Sequence, residues 1–227
     1  MKSLKCYIQE KLVIKKSKII DYKYFPKTKK ELENIIEQRI KEEGNEVNLN
    51  DIDVSKITDM SYLFLNTDFN GDISNWNVSN VTDMRFMFYG CKAFNQDISN
   101  WDVSNVKNMS GMFNVCKAFN QDISAWNVSN VTNMVRMFYG CEEFNQDISS
   151  WDVSNVKNMD GMFRGCSKFN KDISKWDVSN VKDMSCMFLN CNSFNQDISN
   201  WDVYNVNDAS YIFYNCKINK KYKPKLK

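Results

Sequence analysis

The chain repeats itself every 25 residues, and this period constrains its fold more than any other feature of the sequence. All six tryptophans lie on the period, at Trp76, Trp101, Trp126, Trp151, Trp176 and Trp201. Six of the eight cysteines follow it too, at Cys91, Cys116, Cys141, Cys166, Cys191 and Cys216. A period of about 20–50 residues is typical of proteins whose units stack on their neighbours to make one continuous core. We therefore predict a solenoid in which both sets form structural ladders.

Each unit combines two hydrophobic spacings, as in residues 101–125. Trp101 and Val103 lie two residues apart, which is the spacing of one strand face. The next apolar residues are spaced as on one face of a helix, at Val106, Met109, Met112 and Phe113. Ser104 and Asn105 lie between the two patterns and are good helix N-caps. We predict that each coil contains a strand, a tight turn, a short helix and a return segment.

The periodic region covers 49–216 and decays at both ends. Its first unit has Ile52 in the tryptophan position, and its last has Ala209 in a methionine position. Atypical end units are expected, because terminal repeats must cover the core. The predicted organisation is a basic segment with a capping helix in 1–48, a seven-repeat solenoid in 49–216 and a basic tail in 217–227.

A helix is predicted ahead of the repeats, at about 28–43. Thr28 and Glu31 have the spacing of a capping box, and Gly44 stands where a helix C′ residue belongs. The apolar residues between them form one stripe: Leu32, Ile35, Ile36 and Ile40. We expect this helix to cover the open end of the first coil.

The repeat consensus VSNVxxMxxMFxxCxxFNQDISxWDVSN resembles the BspA-type leucine-rich-repeat surface proteins. In particular, it is similar to the 25-residue repeat family first described from mycoplasmas as a domain of unknown function. The resemblance implies an α/β solenoid: a leucine-rich-repeat-like, right-handed stack of about seven coils, with a parallel β-sheet on one face and short helices on the other. Members are often bacterial surface or secreted proteins, so the resemblance also implies protein binding or adhesion.

Catalysis is not expected from this composition. The chain has no histidine, which removes Ser-His-Asp and Cys-His catalysis and every zinc site that needs histidine. No nucleophile is paired with a base, and the carboxylates recur in columns and not as an isolated pair. We predict a protein that is not an enzyme and that has no metal and no cofactor.

Two variable columns beside the tryptophans are the candidate binding face. One lies between tryptophan and valine, at Asn77, Asp102, Asn127, Asp152, Asp177 and Asp202. The other lies one residue before tryptophan and includes Asn100, Ser150, Lys175 and Asn200. Both should line the open sheet, where solenoids present extended surfaces. We predict a non-enzymatic scaffold that binds a protein or glycan partner here; a solvated face without a ligand is the alternative.

The repeat cysteines and the repeat aspartates form two further columns, and each could have a structural role or a chemical one. The repeat cysteines are predicted to be small buried residues, with disulfides or a metal site as alternatives, while Cys6 and Cys186 lie off the column and are better candidates for reactive thiols. Aspartates recur at Asp72, Asp97, Asp122, Asp147, Asp172 and Asp197. We expect them to close tight turns by accepting backbone hydrogen bonds, with calcium binding as the alternative.

The charges are segregated along the chain. Residues 1–50 carry 12 basic and 8 acidic side chains, 51–216 carry 12 and 20, and 217–227 carry six lysines. An alternative function is therefore electrostatic attachment of the basic ends to nucleic acid or an anionic membrane surface, although nucleic acid is the less expected partner. Another is an intracellular protein-interaction module.

The start of the chain lacks the apolar core of a signal peptide, and no stretch reaches the length of a membrane span. A cytoplasmic location is therefore expected, and only the family resemblance suggests the cell surface.

Overall fold

The computed structural model describes residues 20–226. Helix α1 spans Lys29–Glu43, and a short 3-10 helix spans Lys220–Tyr222. Between them the chain winds through successive coils made of turns and extended segments, with no longer regular element in 20–226.

Helix α1 lies where the sequence predicts a helix over about 28–43. The Thr28 hydroxyl accepts a hydrogen bond from the Glu31 N–H at 3.2 Å, which satisfies one of the free donors of the first turn. Gly44 ends the helix with a φ of +87°, a conformation that costs glycine little. Leu32 and Ile36 are buried and join the core of the repeats. The helix thus covers the N-terminal end of the stack.

The backbone–backbone hydrogen bonds between consecutive coils run mainly in one direction. In each coil before the last, four backbone N–H groups donate to carbonyls of the following coil, and we call these four donors the forward row. In one coil they are the N–H groups of Met84, Phe86, Phe88 and Gly90, bonded over 2.8–3.0 Å to the carbonyls of Asn108, Ser110, Met112 and Asn114. Two backbone bonds run the opposite way between these coils, from the Lys107 N–H to the Thr82 carbonyl at 2.9 Å and from the Ala118 N–H to the Lys92 carbonyl at 3.1 Å.

The predicted parallel β-sheet is wrong. Strand pairing is reduced to isolated parallel bridges, most of them in one column formed by Asp59, Asp83, Asn108, Asn133, Asn158, Asp183 and Asp208. Asn108 lies seven residues after Trp101, in the stretch predicted to be helical, whereas Trp101 and Val103 pair with no strand in the described part of the chain.

The predicted short helices are wrong as well, and with them the α/β leucine-rich-repeat architecture. Residues in the middle of this stretch have positive φ angles, for example +53° at Phe86, +60° at Gly111 and +53° at Arg136. A left-handed residue interrupts a right-handed helix. Every second N–H group of this stretch therefore donates to the next coil. N–H groups between these donors close local turns, as from the Met112 N–H to the Met109 carbonyl at 3.2 Å.

Identical side chains stack along the coils and form one core. Neighbouring indole rings lie nearly parallel, with centroids 6.4 Å apart between Trp101 and Trp126. Each indole N–H also donates to the carbonyl of an isoleucine or leucine of an earlier coil, as from Trp151 to Ile123 at 3.1 Å. The tryptophan ladder therefore combines apolar burial with a satisfied polar group.

Candidate binding face

The column predicted between tryptophan and valine is exposed in every coil. Each of its side-chain oxygens accepts a hydrogen bond from the N–H two residues later, which is an Asx turn. The distances are 3.2 Å for Asn77, 3.1 Å for Asp102 and Asn127, and 3.0 Å for Asp152, Asp177 and Asp202. These residues therefore lie on turns and not on the open face of a sheet.

The named members of the second predicted column are all exposed: Asn100, Ser150, Lys175 and Asn200. Two of its members tie their coil to the preceding one: the Ser150 hydroxyl donates to the Ser124 carbonyl and the Asn200 amide to the Ser174 carbonyl, both at 3.0 Å. This column is thus partly structural.

The aspartate column interpreted as turn chemistry lies beside the predicted face. Its members from Asp97 onward are exposed, and each accepts from the N–H of the serine two residues later, at 2.9 Å for Asp97. One tight turn, closed by the Trp101 N–H and the Ile98 carbonyl at 3.2 Å, separates Asp97 from Asp102. We call the two columns together the acidic face: Asp97, Asp122, Asp147, Asp172 and Asp197 with Asp102, Asp152, Asp177 and Asp202. Sequence reasoning missed this union, although the constant five-residue offset was its signal.

Hydrogen bonds hold several of these carboxylates ionised. The hydroxyl and the N–H of Ser104 lower the pKa of Asp102, and the pKa of Asp177 is lowered in the same way by Ser179. The N–H and the hydroxyl of Ser149 lower the pKa of Asp147. The face therefore carries negative charge throughout the neutral range.

The middle of the face is a shallow cavity of about 350 Å³. Asp147, Ser149, Lys171, Asp172 and Lys175 line it. The lysines place positive charge among the aspartates, and Lys171 helps to lower the pKa of Asp147. Both charge signs therefore meet in this concave surface.

The chain was compared with protein families and with known proteins. A family described as a mycoplasma protein of unknown function, DUF285, matches it twice, over residues 30–138 and 116–224. The chain belongs to the DUF285 family. The match does not support the BspA-type leucine-rich-repeat assignment. Searches of the curated proteins and of the solved structures give no match.

Residues 20–226 hold no group of three or more histidine, cysteine, aspartate or glutamate side chains placed to bind an ion. The asparagine two residues before each aspartate forms a hydrogen bond with the corresponding asparagine of the next coil. For example, the side-chain oxygen of Asn120 accepts from the Asn145 N–H at 2.9 Å. The asparagine and aspartate side chains thus both satisfy backbone N–H groups, which favours the turn interpretation of the aspartate column.

In this DUF285 chain the cysteine column is buried, except for its last member, which is partly exposed. All the cysteines described are free. Each thiol donates to the carbonyl of a phenylalanine in an earlier coil, as from Cys141 to Phe113 at 2.9 Å. Burial raises the pKa of Cys91 to about 11 and that of Cys141 well above its usual range. Because the thiolate is the reactive form, we expect the buried thiols of the column to be unreactive in the folded DUF285 protein.

We expect one fast-reacting thiol in a C6S variant of the DUF285 chain. Cys186 lies off the column and is partly exposed, whereas the buried thiols are protected by both access and pKa. Titration with Ellman's reagent in buffer should report Cys186 first and Cys216 more slowly, and the remaining cysteines only after denaturation. A C6S/C186S variant is the control and should lose the fast phase. Rapid reaction of four or more thiols in buffer would contradict the buried ladder.

The structure also addresses membrane crossing and the basic ends. No helix within residues 20–226 is both long and apolar enough to span a bilayer. Cys6, Lys15, Lys16 and Lys18 lie outside the described residues. Lys29 is bonded to the Ser61 hydroxyl at 2.7 Å and lies 3.4 Å from the Asp59 carboxylate, so its charge is already partnered in the DUF285 fold.

Proposed function

We propose that the chain is a non-catalytic binding scaffold whose acidic face engages a basic surface on a protein or glycan partner. The observation that carries the proposal is the double column of exposed carboxylates, each held by an Asx turn and repeated in successive coils. Stacked coils lie about 5 Å apart. Rows of like charge at that spacing create a potential that attracts and orients an oppositely charged partner.

Non-catalytic binding also suits the way the polar groups are used. The thiols of the cysteine column donate to backbone carbonyls, and the face aspartates accept from backbone N–H groups. Neither set pairs a nucleophile with a general base among residues 20–226. The face aspartates are exposed, so a cationic group can reach their carboxylates.

The proposal is tested by removing charge without disturbing the turn. Asn77 and Asn127 occupy the same column as Asp152 and Asp177 and accept the same backbone bond, so D152N/D177N should fold normally. The probe is fluorescent octalysine at low salt, followed by anisotropy. Each lost exposed charge pair is worth about 0.2–1 kcal/mol, so we expect affinity to fall about threefold in D152N/D177N. D152K/D177K should lower it more than tenfold.

The matched control is E37K/D68K. Glu37 lies on α1 and Asp68 in the first unit, both exposed and both outside the acidic face. This variant changes the net charge by as much as D152K/D177K does. Equal losses in the two variants would assign binding to net charge alone, and unchanged binding in D152K/D177K would remove the face from the function.

A further inference from the structure

The last coil ends the forward row without an acceptor. In the preceding coil, the N–H groups of Met184, Cys186, Phe188 and Asn190 donate over 2.8–3.0 Å to carbonyls of the last coil. The corresponding N–H groups of the last coil belong to Ala209, Tyr211, Phe213 and Asn215, and we call them the donor edge. Within residues 20–226 these four groups donate to nothing. The stack therefore presents, at its C-terminal end, the same donors that bind a coil everywhere else.

The orientation of the peptide groups reinforces this edge. All the forward-row carbonyls point towards the N-terminal end of the stack, and their N–H groups point towards the C-terminal end. Aligned peptide dipoles add, as they do in an α-helix, where the free N–H end carries partial positive charge. The donor edge is the positive end of these columns and favours carbonyl oxygens and negative charge.

The C-terminal segment covers the core beside the donor edge but leaves the edge itself open. Its backbone follows part of the path of a next coil: the Asn219 N–H donates to the Asn195 side chain at 2.8 Å, and the Tyr222 carbonyl accepts from the Ile198 N–H at 3.0 Å. By contrast, Tyr211 of the donor edge is 67% exposed, and Tyr214, whose ring centroid lies 6.0 Å from that of Tyr211, is 63% exposed. Apolar surface and unsatisfied donors therefore occur together.

The C-terminal segment brings positive charge beside the donor edge, next to the exposed carboxylate of Asp208. Residues 217–225 contain five lysines and no acidic residue. The Lys223 ammonium lies 5.0 Å from the ring centre of Phe213, which places it at the edge. This charge complements an acidic ligand.

We propose that the donor edge binds an extended acidic segment of a partner protein, which adds to the stack as a further coil. Its alternate carbonyls would accept from the four N–H groups, its carboxylates would lie near the lysines, and its apolar side chains would cover the tyrosines. Addition of a segment to an open backbone edge is a general mode of peptide recognition.

A second copy of the chain fits the edge less well than a separate segment. Two C-terminal ends would present donors to donors. Joining the C-terminal end to the N-terminal end of another copy would require α1 to leave, because Leu32 and Ile36 are buried there and Lys29 is bonded to Ser61. We therefore assign the edge to a partner segment that presents carbonyls.

The probe is a labelled synthetic peptide of residues 51–66, DIDVSKITDMSYLFLN, added to the full chain and followed by anisotropy. It carries three aspartates and one lysine and contains the carbonyls that a coil presents to such a row. We expect saturable binding that falls at least tenfold in A209P, because proline removes one donor that has no partner in the described structure. Y211A/Y214A and K220E/K223E should each weaken it as well. K107E/K157E, on exposed lysines of interior coils, should leave it unchanged.

Thermal melts verify that each variant is folded, and Y211A/Y214A provides a second test if A209P is not, since both tyrosines are exposed. Absence of binding, or equal binding in all the edge variants, would overturn the proposal. Equal binding of a peptide with lysine at the three aspartate positions would overturn the acidic assignment. Concentration-dependent self-association of the chain that A209P abolishes would assign the edge to a second copy. The donor edge and the acidic face share no residue, so the two proposals fail independently.

Discussion

Substitution of Phe138 by alanine should destabilise the protein by about 3–5 kcal/mol, the cost of emptying a fully buried phenylalanine site. The Phe138 ring is 0% exposed, and its centroid lies 5.7 Å from that of Phe113, 4.1 Å from that of Phe144 and 5.8 Å from that of Phe163. Three coils share this contact, so they cannot close the cavity without separating their backbone bonds. Urea unfolding followed by tryptophan fluorescence measures the change in the free energy of unfolding.

The matched control is the same substitution at the end of the same column, in F213A. Phe213 is only partly buried and stacks on one phenylalanine, Phe188, at 5.8 Å. Its loss should cost about 1 kcal/mol, within the ordinary range for partly buried positions. Because each coil contacts only its neighbours, F138A should also broaden the transition by weakening the coupling between the two halves of the stack. Equal effects of F138A and F213A would show that the column does not act as a continuous core.

Much of the packing follows from the sequence because stacking forces each residue of a column into the same environment. The tryptophan, phenylalanine and valine columns are buried throughout the interior coils. The start of α1 could be read from Thr28 and Glu31, since a capping box satisfies specific backbone donors. In both cases the local chemistry determines the structure without help from distant contacts.

The backbone of the coil could not be read in this way. Val106, Met109 and Phe113 have helical spacing. In this fold the same spacing arises from a backbone that is interrupted by residues with positive φ and still directs its apolar side chains into the core. The signal against a helix was Gly111 and its counterpart Gly161, both with positive φ. Their column also holds Phe86 and Arg136, so the pattern of residue types was ambiguous. Bonding to the next coil, which the sequence does not display, decides the conformation.

The candidate face was only partly predictable for the same reason. Alternation between Trp101 and Val103 correctly places Asp102 outside the core, since its neighbours are buried. It does not distinguish a strand from an Asx turn, because both alternate buried and exposed residues. The acidic face and the donor edge depend on which backbone groups meet between coils and at the end of the stack.

The segment that follows α1 packs closely against the first unit at Gly71. Gly71→Ala should therefore lower the free energy of unfolding by about 1–3 kcal/mol or more, because overpacking of this kind is destabilising. A Cβ atom at Gly71 would lie 2.1 Å from the Val47 carbonyl oxygen and 2.7 Å from Cε2 of the Phe69 ring. The first contact is with backbone, in the segment that joins α1 to the repeats. Relief therefore requires that segment to move, and the same segment carries the buried side chain of Leu49.

Gly140→Ala is the control that separates crowding from backbone strain. Gly140 has a φ of +69°, so alanine is strained there, yet its Cβ would meet nothing closer than the Val115 Cα atom at 3.7 Å. Strain alone costs about 1 kcal/mol. Gly71 carries no such positive φ, so its penalty arises from the contact with Val47. We expect thermal melts to show a larger loss for G71A than for G140A, and increased proteolysis between α1 and the first coil in G71A only. A smaller loss for G71A would mean that the junction of α1 with the stack yields easily, and that the helix covers the first coil without being held against it.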